Sequence, residues 1–531
     1  MPNTQTTIET DELPGGEAVT LWDDASTWND GNLWRDGFTG VTPESFNLDD
    51  YAGFTFRDKP ILDLDGVINQ IDSGNSQQVN GGTITYTFLD GNNLTGLYNN
   101  PQYGFTAGEG LTPFTDDQRD AARDSIQLWD DLIDATFVEM NGRGADIQFA
   151  SSADPGQAYA YYPEYDFTNA QGWKFFGDVF VADPEINWTN NWLGFNGYGA
   201  TTLIHEIGHA VGLSHPGAYN GAGATTYVDQ AEYAQDSEQY SIMSYWSPSE
   251  TGASVIDWGT FLFGNAQTPM LHDILTIQAK YGADEDTRAD DTTYGFNSTA
   301  GRDVFDFSLN EYPNLSIYDA GGIDTLDMSG FGASVFIDLH DGAFSSAAQA
   351  VPDADVINAN RADLSDIAGF PLGDIGQATV DAVAAGRMNL ASNQIASETG
   401  VSGIEATALF NISIAYGTVI ENAVGGSERD LLWGNEVDNM LDGGAGDDVL
   451  RGFEGDDLLF GGSGADTFTF VDGDGDDIIA DFEDGVDLIE LYTAGPVSVV
   501  QDGDDTVITY ADGSITLLDT DYTTITADDF A

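Results

Sequence analysis

The sequence predicts an α+β domain followed by an all-β domain in which short parallel strands stack as a β-roll. Two observations predict the α+β half: apolar and polar residues alternate over residues 83–88, and apolar residues recur every three or four positions after Thr115. The third observation is a nine-residue repeat, rich in Gly, Asp and Leu, that runs through residues 425–469. The chain has 531 residues, 41% of them hydrophobic, and is long enough for more than one core.

The α+β domain is expected to span residues 21–285, after a polar, flexible leader at residues 1–20. The alternating segment predicts a strand with one buried face. Thr115 and Gln118 form a capping box, which satisfies backbone N–H groups in the first turn of a helix. Further strands are expected at Ile147 and Phe149 and at Tyr159 and Tyr161.

The nine-residue repeat keeps three positions in register over five consecutive units. Gly opens each unit, and an apolar residue stands at position eight. The glycines allow left-handed backbone and expose carbonyl groups, while carboxylates at position six add charged oxygen ligands for Ca²⁺. Stacked turns would share these ions, with the apolar column facing inward. An unstructured Gly-Asp linker is the alternative, and the unbroken apolar column argues against it.

Residues 286–531 are therefore expected to form a calcium-binding β-roll domain. Residues 347–400 interrupt it: they are rich in Ala and partly helical in pattern between Ala378 and Ala391. We interpret them as an inserted segment. The sequence assigns this segment no role.

The excess of acidic residues excludes two classes of partner. The chain contains 90 Asp and Glu against 14 Lys and Arg, a formal net charge of −76. Such a field repels nucleic acid and anionic membrane surfaces. The absence of Cys excludes disulfides, cysteine nucleophiles and thiolate metal sites. No stretch approaches 18 apolar residues, so no membrane insertion is expected.

Calcium coordination explains little of this charge. Only 11 of the 90 acidic residues lie in the repeats at residues 425–469. Most of the acidity therefore belongs to the surface as a whole. A strongly hydrated acidic surface suits a marine protein, because sea salt screens charges within about 8 Å or less.

Three of the five histidines lie within eleven residues, in a pattern typical of a zinc site. His205 and His209 are four residues apart, so one helix face can present both imidazoles to one ion. Gly212 can end that helix in a left-handed conformation and turn the chain back, which would bring in His215. Three imidazoles leave a fourth position open, as in catalytic zinc sites. Glu206 lies beside them, where it can act as a general base.

The motif continues as His215-Pro216-Gly217, and Ser241 to Trp246 reads Ser-Ile-Met-Ser-Tyr-Trp. This combination resembles the serralysin family of metzincin proteases. The resemblance implies a metzincin-like zinc protease domain, with Met243 as the apolar floor of the site and Tyr245 as a phenol that approaches zinc and stabilises the oxyanion. It also implies an edge strand that aligns the substrate backbone, formed by Ala158, Tyr159, Ala160 and Tyr161.

The resemblance further implies a calcium site between the domains, with ligands from Arg288, Asp290, Thr292, Asp319, Gly321, Gly322, Asp324 and Glu421. In the roll, the expected ligands are Asp430, Asn439, Gly443, Gly444, Gly446, Asp448, Gly452, Gly455, Asp457, Gly461, Gly464 and Asp466. The first two units depart from the repeat, because Glu428 and Val437 replace Gly at position four. The repeat is best preserved in units three to five.

These features predict a secreted zinc endopeptidase that hydrolyses peptide bonds of extracellular proteins. The N-terminus lacks the basic start and apolar run of a signal peptide. The resemblance implies instead an uncleaved C-terminal signal read by a type I secretion apparatus. Protein and peptide substrates and a monomeric chain are expected. Two alternatives stay open: a calcium-binding surface protein or adhesin with a vestigial protease domain, and a processing protease with a single partner.

Overall fold

The computed structural model describes residues 38–39, 47–79, 81–90, 111–142, 144–153, 155–163, 177–219 and 226–531. The predicted leader, residues 1–20, lies outside these ranges. In the ranges that are described, no helix is both long enough and apolar enough to cross a bilayer.

The N-terminal half mixes strands and helices, as predicted. Its strands are β1 Phe38–Thr39, β2 Thr55–Phe56, β3 Lys59–Pro60, β4 Thr83–Phe88, β5 Thr136–Glu139, β6 Ile147–Ser152, β7 Ala158–Ala160, β8 Val179–Ala182, β9 Ile256–Asp257 and β10 Leu262–Phe263. Its α-helices are α1 Leu64–Ile71, α2 Asp116–Asp130, α3 Tyr198–Val211, α4 Tyr227–Gln230 and α5 Leu271–Tyr281. Short 3-10 helices are Leu48–Tyr51, Trp188–Asn191 and Pro248–Thr251.

One five-stranded sheet organises this half, in the order β5–β4–β6–β8–β7. Its neighbours are parallel except for β7, which runs antiparallel to β8. The strands expected from the alternating and apolar segments are confirmed. Among the described strands, β7 lies at the edge of the sheet, where a further strand could pair with it.

Helix α2 begins at the predicted capping box, in which Thr115 and Gln118 each cap the backbone of the other. Its apolar face, including Ile126 and Trp129, is buried. The Trp129 indole N–H donates to the carbonyl oxygen of Ile204 at 3.1 Å. This bond fixes α2 directly against α3.

The C-terminal half consists of short strands with two long helices inserted. The strands are β11 Thr293–Gly295, β12 Leu315–Ile317, β13 Thr325–Asp327, β14 Phe336–Asp338, β15 Phe344–Ser345, β16 Ile412–Ile414, β17 Asn422–Val424, β18 Leu431–Trp433, β19 Met440–Asp442, β20 Val449–Arg451, β21 Leu458–Phe460, β22 Thr467–Val471, β23 Asp476–Ile479, β24 Leu488–Tyr492, β25 Ser498–Asp502, β26 Asp505–Tyr510 and β27 Gly513–Leu517. The helices are α6 Ala354–Ala368 and α7 Gln377–Thr399, with 3-10 helices Asp303–Phe305 and Ala527–Asp529.

Successive repeat units alternate between two sheets. The orders are β11–β13–β17–β19–β21–β23–β27–β26–β25 and β14–β18–β20–β22–β24. Neighbouring strands are parallel in both, except that β25 and β26 are added antiparallel at one edge of the first sheet. Leu432 pairs with Leu450 and Leu441 with Leu459, so two nine-residue units complete one turn of the roll. The whole column at position eight, which ends at Phe468, is buried between the sheets. The predicted parallel β-roll is confirmed.

The inserted segment packs on both halves of the molecule. Ile395 of α7 belongs to one buried cluster with Phe336, Leu431 and Val449, on the face of the roll opposite its core. Side chains of both helices also reach the loop at residues 254–260. Asn360 donates to the carbonyl oxygen of Gly259, Arg361 to that of Thr260, and Arg387 to the hydroxyl of Ser254, each at 2.9 Å. The insertion therefore braces the N-terminal half against the roll.

The 3-10 helix Leu48–Tyr51 forms a second connection, which we call the strap. The Asp49 carboxylate accepts hydrogen bonds from His272 of α5 at 2.8 Å and from the Tyr416 hydroxyl of the roll at 2.5 Å. The backbone N–H of the first strap residue donates to the Tyr240 hydroxyl at 2.9 Å. One buried carboxylate thus joins an early segment of the chain to α5 and to the roll.

Replacing Ile395 with Ala tests the brace. Because Ile395 is fully buried, its loss should lower the free energy of unfolding by about 2–5 kcal/mol. Denaturant titration in saturating calcium, followed by circular dichroism, measures this change. The control Val356→Ala alters an α6 side chain that is 51% exposed and should act within about 0.5 kcal/mol. Equal unfolding midpoints for the two variants would contradict the packing.

Candidate metal centre

Helix α3 presents His205 and His209 one turn apart on one face. Gly212 ends the helix with a left-handed φ of 103°. A Cβ added at Gly212 would lie 2.1 Å from the carbonyl oxygen of Asn75, so both the conformation and the space require glycine. The chain reverses at this residue and brings His215 to the other two histidines, as the spacing predicts.

The Nε2 atoms of the three histidines converge. They are 3.1 Å apart between His205 and His209, 3.2 Å between His205 and His215, and 3.0 Å between His209 and His215. In the part of the chain that the structure describes, no other group of three or more His, Asp or Glu brings its ligand atoms within 4.8 Å of one another. The predicted ligands therefore do meet in space.

Hydrogen bonds at the opposite ring nitrogen fix the tautomer of each histidine. Nδ1 of His205 lies 2.7 Å from the carbonyl oxygen of Ile242, that of His209 lies 2.8 Å from Leu213, and that of His215 lies 3.1 Å from Tyr219. A carbonyl oxygen only accepts, so Nδ1 carries the proton and Nε2 carries a lone pair. Burial lowers the pKa of His205 to about 4 and that of His215 to about 3, so both are neutral at pH 7.

The donor set fits zinc. Three lone pairs about 3 Å apart repel one another unless a cation lies between them. Tetrahedral zinc binds imidazole nitrogens at about 2.0–2.1 Å, which places them about 3.3 Å apart. The observed separations of 3.0–3.2 Å are close to that value. His205, His209 and His215 would hold the ion and leave a fourth position open.

Glu206 lies beside this centre with a carboxylate oxygen that has no partner. Its side chain is buried, and Oε2 makes no hydrogen bond. Burial raises the pKa of Glu206 to about 8; a cation held by the histidines lowers it, because the ion favours the carboxylate. A buried unpartnered carboxylate oxygen is costly, so this geometry suits a group that accepts a proton during a reaction.

Met243 lies beneath the histidines, as the resemblance implies. It is fully buried, and a Cβ added at Gly208 would lie 2.6 Å from its sulfur. Gly208 stands between His205 and His209 on α3. The absence of a side chain at residue 208 therefore lets the Met243 thioether pack directly under the metal centre.

Tyr245, two residues after Met243, lies beside the histidine cluster. Its ring centroid is 4.5 Å from that of His215 and 6.0 Å from that of His205. The ring also packs against Tyr219 at 5.2 Å. This position fits a phenol that works at the metal centre.

Two buried aspartates, Asp273 and Asp236, stabilise the turn at residues 241–246 by hydrogen bonds. Neither was predicted from the sequence. Asp273 accepts hydrogen bonds from the Ser241 hydroxyl at 2.7 Å and from the Ile242 N–H at 2.6 Å; Asp236 accepts from the Ser244 hydroxyl at 2.7 Å and from the Trp246 indole at 3.1 Å. The carbonyl of Ile242 orients His205, so Asp273 also positions a predicted zinc ligand. In the sequence, Asp273 stands only as an acidic residue in the first turn of α5, where an ordinary helix cap is expected.

The predicted edge strand is β7, and its side chains divide between two faces. The Tyr159 and Tyr161 rings pack on Phe180, at 5.3 and 6.3 Å. Ala158 and Ala160 pack against the core cluster that contains α3. The Tyr159 and Tyr161 rings therefore pack on the sheet.

In the roll, Asp carboxylates form two hydrogen-bonded columns. In one, Oδ1 of Asp448 and of Asp466 accepts the backbone N–H of the Asp 18 residues earlier, at 2.8 and 2.9 Å. In the other, Asp457 accepts from Asn439 at 2.8 Å, and Asp477 accepts from Asp457 at 3.1 Å. Oδ2 of Asp448, Asp457 and Asp477 is buried without a partner. These oxygens fit cation ligands.

Asp477 was not among the predicted ligands. It stands 20 residues after Asp457 rather than 18, so the strict nine-residue spacing misses it. Its segment Asp472 to Asp477 still carries Gly at the second and fourth positions. That local pattern was the available signal.

The predicted glycines bring oxygen atoms into the same spaces. A Cβ added at Gly464 would lie 1.5 Å from the carbonyl oxygen of Gly446, and both glycines have positive φ, 155° and 151°. The other predicted glycines are equally confined: a Cβ would lie within 3 Å of a carbonyl or carboxylate oxygen at Gly443, Gly444, Gly452, Gly455 and Gly461. Oxygen atoms therefore crowd around each turn, which suits Ca²⁺.

The two degenerate units differ from the others. Asp430 already accepts hydrogen bonds at both oxygens, from the N–H groups of Val335 and Gly426 at 2.7 and 2.5 Å. Asn439 accepts from Asn435 and donates to the carbonyl oxygen of Glu421. The structure thus brings these two predicted ligands into the columns but occupies their polar atoms within the protein.

The predicted interdomain ligands also come together. Asp324 accepts the N–H of Thr292 at 2.7 Å through Oδ1, while its Oδ2 is buried without a partner, and its own N–H donates to Glu421 at 2.7 Å. Asp319 accepts from the Tyr294 hydroxyl, the carbonyl of Asp290 accepts from Thr292, and Gly321 and Gly322 have φ of 143° and 145°. Burial and nearby carboxylates raise the pKa of Asp324 to about 7. A cation would relieve this strain on the carboxylates.

Arg288 links this site to the N-terminal half. Its guanidinium donates to Asp131, at the end of α2, at 2.7 Å. Arg302 donates to the other oxygen of Asp131, also at 2.7 Å. Two arginines of the C-terminal half therefore form ion pairs with one carboxylate of the N-terminal half.

Comparison with known proteins agrees with this geometry. Residues 283–352 match the family described as "Peptidase M10 serralysin C terminal", and residues 433–468 match "RTX calcium-binding nonapeptide repeat (4 copies)". The chain is 33% identical to "Metalloprotease AprA" of Pseudomonas entomophila, over 75% of this chain and 66% of that protein. It is also 33% identical to "Metallopeptidase AprA" of Pseudomonas marginalis, over 74% of this chain and 69% of that protein.

A third relative is "Serralysin G" of Dickeya chrysanthemi, which is 33% identical over 76% of this chain and 72% of that protein. The aligned part thus spans about two thirds of the length of these relatives. The family predicted from the histidine motif and the repeats is confirmed. The chain belongs to the serralysin family of metalloproteases, with RTX calcium-binding repeats in its C-terminal half.

Proposed function

We propose that this chain is a zinc-dependent endopeptidase with a metzincin-like catalytic domain. The observation that carries the proposal is the convergence of three Nε2 lone pairs beside the unpartnered Oε2 of Glu206. Zinc, when bound by His205, His209 and His215, polarises the substrate carbonyl and makes water more acidic.

The residues of the chain divide the remaining work. Glu206 accepts a proton from the attacking water and delivers it to the leaving amine. The Tyr245 phenol, beside His215, donates to the oxygen that becomes negative. The substrate backbone adds to the open edge of β7, which orients the scissile bond above the histidines. Extracellular proteins and peptides are the proposed substrates.

Two other functions are distinguishable by experiment. A surface protein or adhesin with a vestigial protease domain has less support, since the chain keeps the three histidines and Glu206. Casein hydrolysis that a zinc chelator abolishes would exclude it. A processing protease with a single partner would cleave few members of an unbiased peptide library.

We further infer that calcium orders the roll outside the cell, where calcium is abundant. The buried Asp oxygens support this inference, because they repel one another in the absence of cations. Export through a type I secretion apparatus and a monomeric state belong to the same proposal.

Glu206→Gln tests the general base. The amide keeps the size of the side chain but cannot accept the proton, so kcat on a fluorogenic peptide should fall about 10²- to 10⁴-fold. Zinc content, measured by atomic emission, should stay at one ion per chain. The matched control Glu185→Gln changes an exposed glutamate and should retain activity. Full activity in Glu206→Gln would overturn the assignment.

The calcium-free roll should lose stability as pH rises. Burial and neighbouring carboxylates raise the pKa of Asp448 and Asp457 to about 8, against about 3.9 in an unfolded chain. Each carboxyl binds its proton more tightly when folded. Its contribution is therefore intact below pH 4 and declines toward pH 8, by at most about 1.4 kcal/mol per pH unit.

Melting curves of calcium-stripped protein at pH 5 and pH 8 measure this effect. The C-terminal transition should occur at a lower temperature at pH 8. Saturating calcium should flatten the dependence, because the ion replaces the protons. Asp448→Asn should weaken the pH dependence, whereas the exposed control Asp502→Asn should not. The same pH slope with and without calcium would show that these carboxyls are not the cause.

A further inference from the structure

The side-chain alternation of β7 continues past the end of the strand to Tyr162. Ala158 and Ala160 lie on the face toward α3, and the next residue in that register is Tyr162. The backbone just before Tyr162 is fixed, because the Tyr161 N–H donates to the carbonyl oxygen of Asp178 and the Tyr161 carbonyl oxygen accepts the N–H of Gly177, at 3.0 Å each. Two small residues are thus followed by one large aromatic residue at a defined place.

The Tyr162 ring contacts the metal centre. Its centroid is 5.5 Å from that of His209, with the two ring planes at 88°. Tyr245 packs instead against His215 and His205. Two tyrosines therefore lie beside the histidine cluster. Tyr162, just after the edge strand, is next to His209, and Tyr245, from the turn that carries Met243, is next to the other two histidines.

Among the residues that the structure describes, none encloses the Tyr162 ring. Its side chain is half-buried, so part of the ring stays accessible beside His209. Ala158 and Ala160, which precede it on the same face, are small and pack against the core. Glu206 is a charged group that interacts with Tyr162, and the chain carries a net charge of −76. This space suits an apolar side chain and disfavours an acidic one.

We propose that Tyr162 determines specificity: its ring forms a wall of the subsite for a residue beside the scissile bond and selects an apolar or aromatic side chain there. The inference rests on the proposed peptidase function. A substrate strand on β7 would pass from the alanines to Tyr162 directly above His209. An aromatic wall at that point favours rings and large aliphatic groups through edge-to-face and dispersion contacts.

A peptide library with single positions varied on both sides of the cleaved bond tests this inference. The calcium- and zinc-loaded wild type should prefer Phe or Leu over Asp by at least about tenfold in kcat/KM, at one of the two flanking positions. Tyr162→Ala should lose most of this preference through a higher KM for the Phe peptide, while peptides with Ala at that position change less than about threefold. Tyr162→Phe should retain the preference, because the ring is kept.

The possible results distinguish a failure of the proposed function from a failure of this inference. If the wild type cleaves no peptide, the proposed function fails, and not this inference alone. If the wild type cleaves but Tyr162→Ala gives the same profile, the inference is wrong. If Tyr162→Ala loses zinc or melts early, the wild-type profile remains as a test. A wild type that shows no preference at either flanking position overturns the proposal. Tyr492→Ala, at an exposed position in the roll (60% exposed), should leave the profile unchanged.

Discussion

Buried lone pairs and carboxylate oxygens without a partner are the constraint on which, we propose, the rest of the structure depends. Buried carboxylates in the roll, such as Asp448 and Asp457, keep one oxygen without a partner, and three imidazole lone pairs face one another at the catalytic end. With 14 basic residues against 90 acidic ones, Lys and Arg cannot neutralise these sites. Unpaired buried charge is costly. We therefore propose that metal binding and folding are coupled in this protein.

Two of the few basic side chains connect the halves of the molecule. Arg288 and Arg302 converge on Asp131 at the end of α2. Helix α2 in turn is fixed to α3 through Trp129, whose indole binds the carbonyl just before His205. The predicted interdomain site is thus connected through α2 and α3 to the three histidines. Asp273 likewise has two roles: it fixes the turn at residues 241–246 and, through the carbonyl of Ile242, orients His205.

The sequence predicted those parts of the structure that repeat at a fixed residue interval. The four-residue interval of His205 and His209 and the nine-residue interval of the repeat transfer directly to a helix face and a roll turn. Asp477 was missed because the interval widens to 20 residues while the fold continues. Asp273 was missed because one acid among 90 carries no pattern. The brace at residues 347–400 was unassigned because its partners, such as Leu431, lie beside the core column and are not distinguished from it by the repeat.

The strap has a consequence for modularity. Asp49 binds α5 and Tyr416 together, and α6 and α7 leave the roll to cover the loop at residues 254–260. A fragment cut at the predicted boundary near residue 285 would leave the strap without its roll partner and expose apolar surface that is now shared. The two halves share buried clusters, such as the one that joins Leu271 to Leu431, and are not independent parts. Exchange of the catalytic half between relatives would succeed only if the strap, the brace and the loop at residues 254–260 were transferred with it.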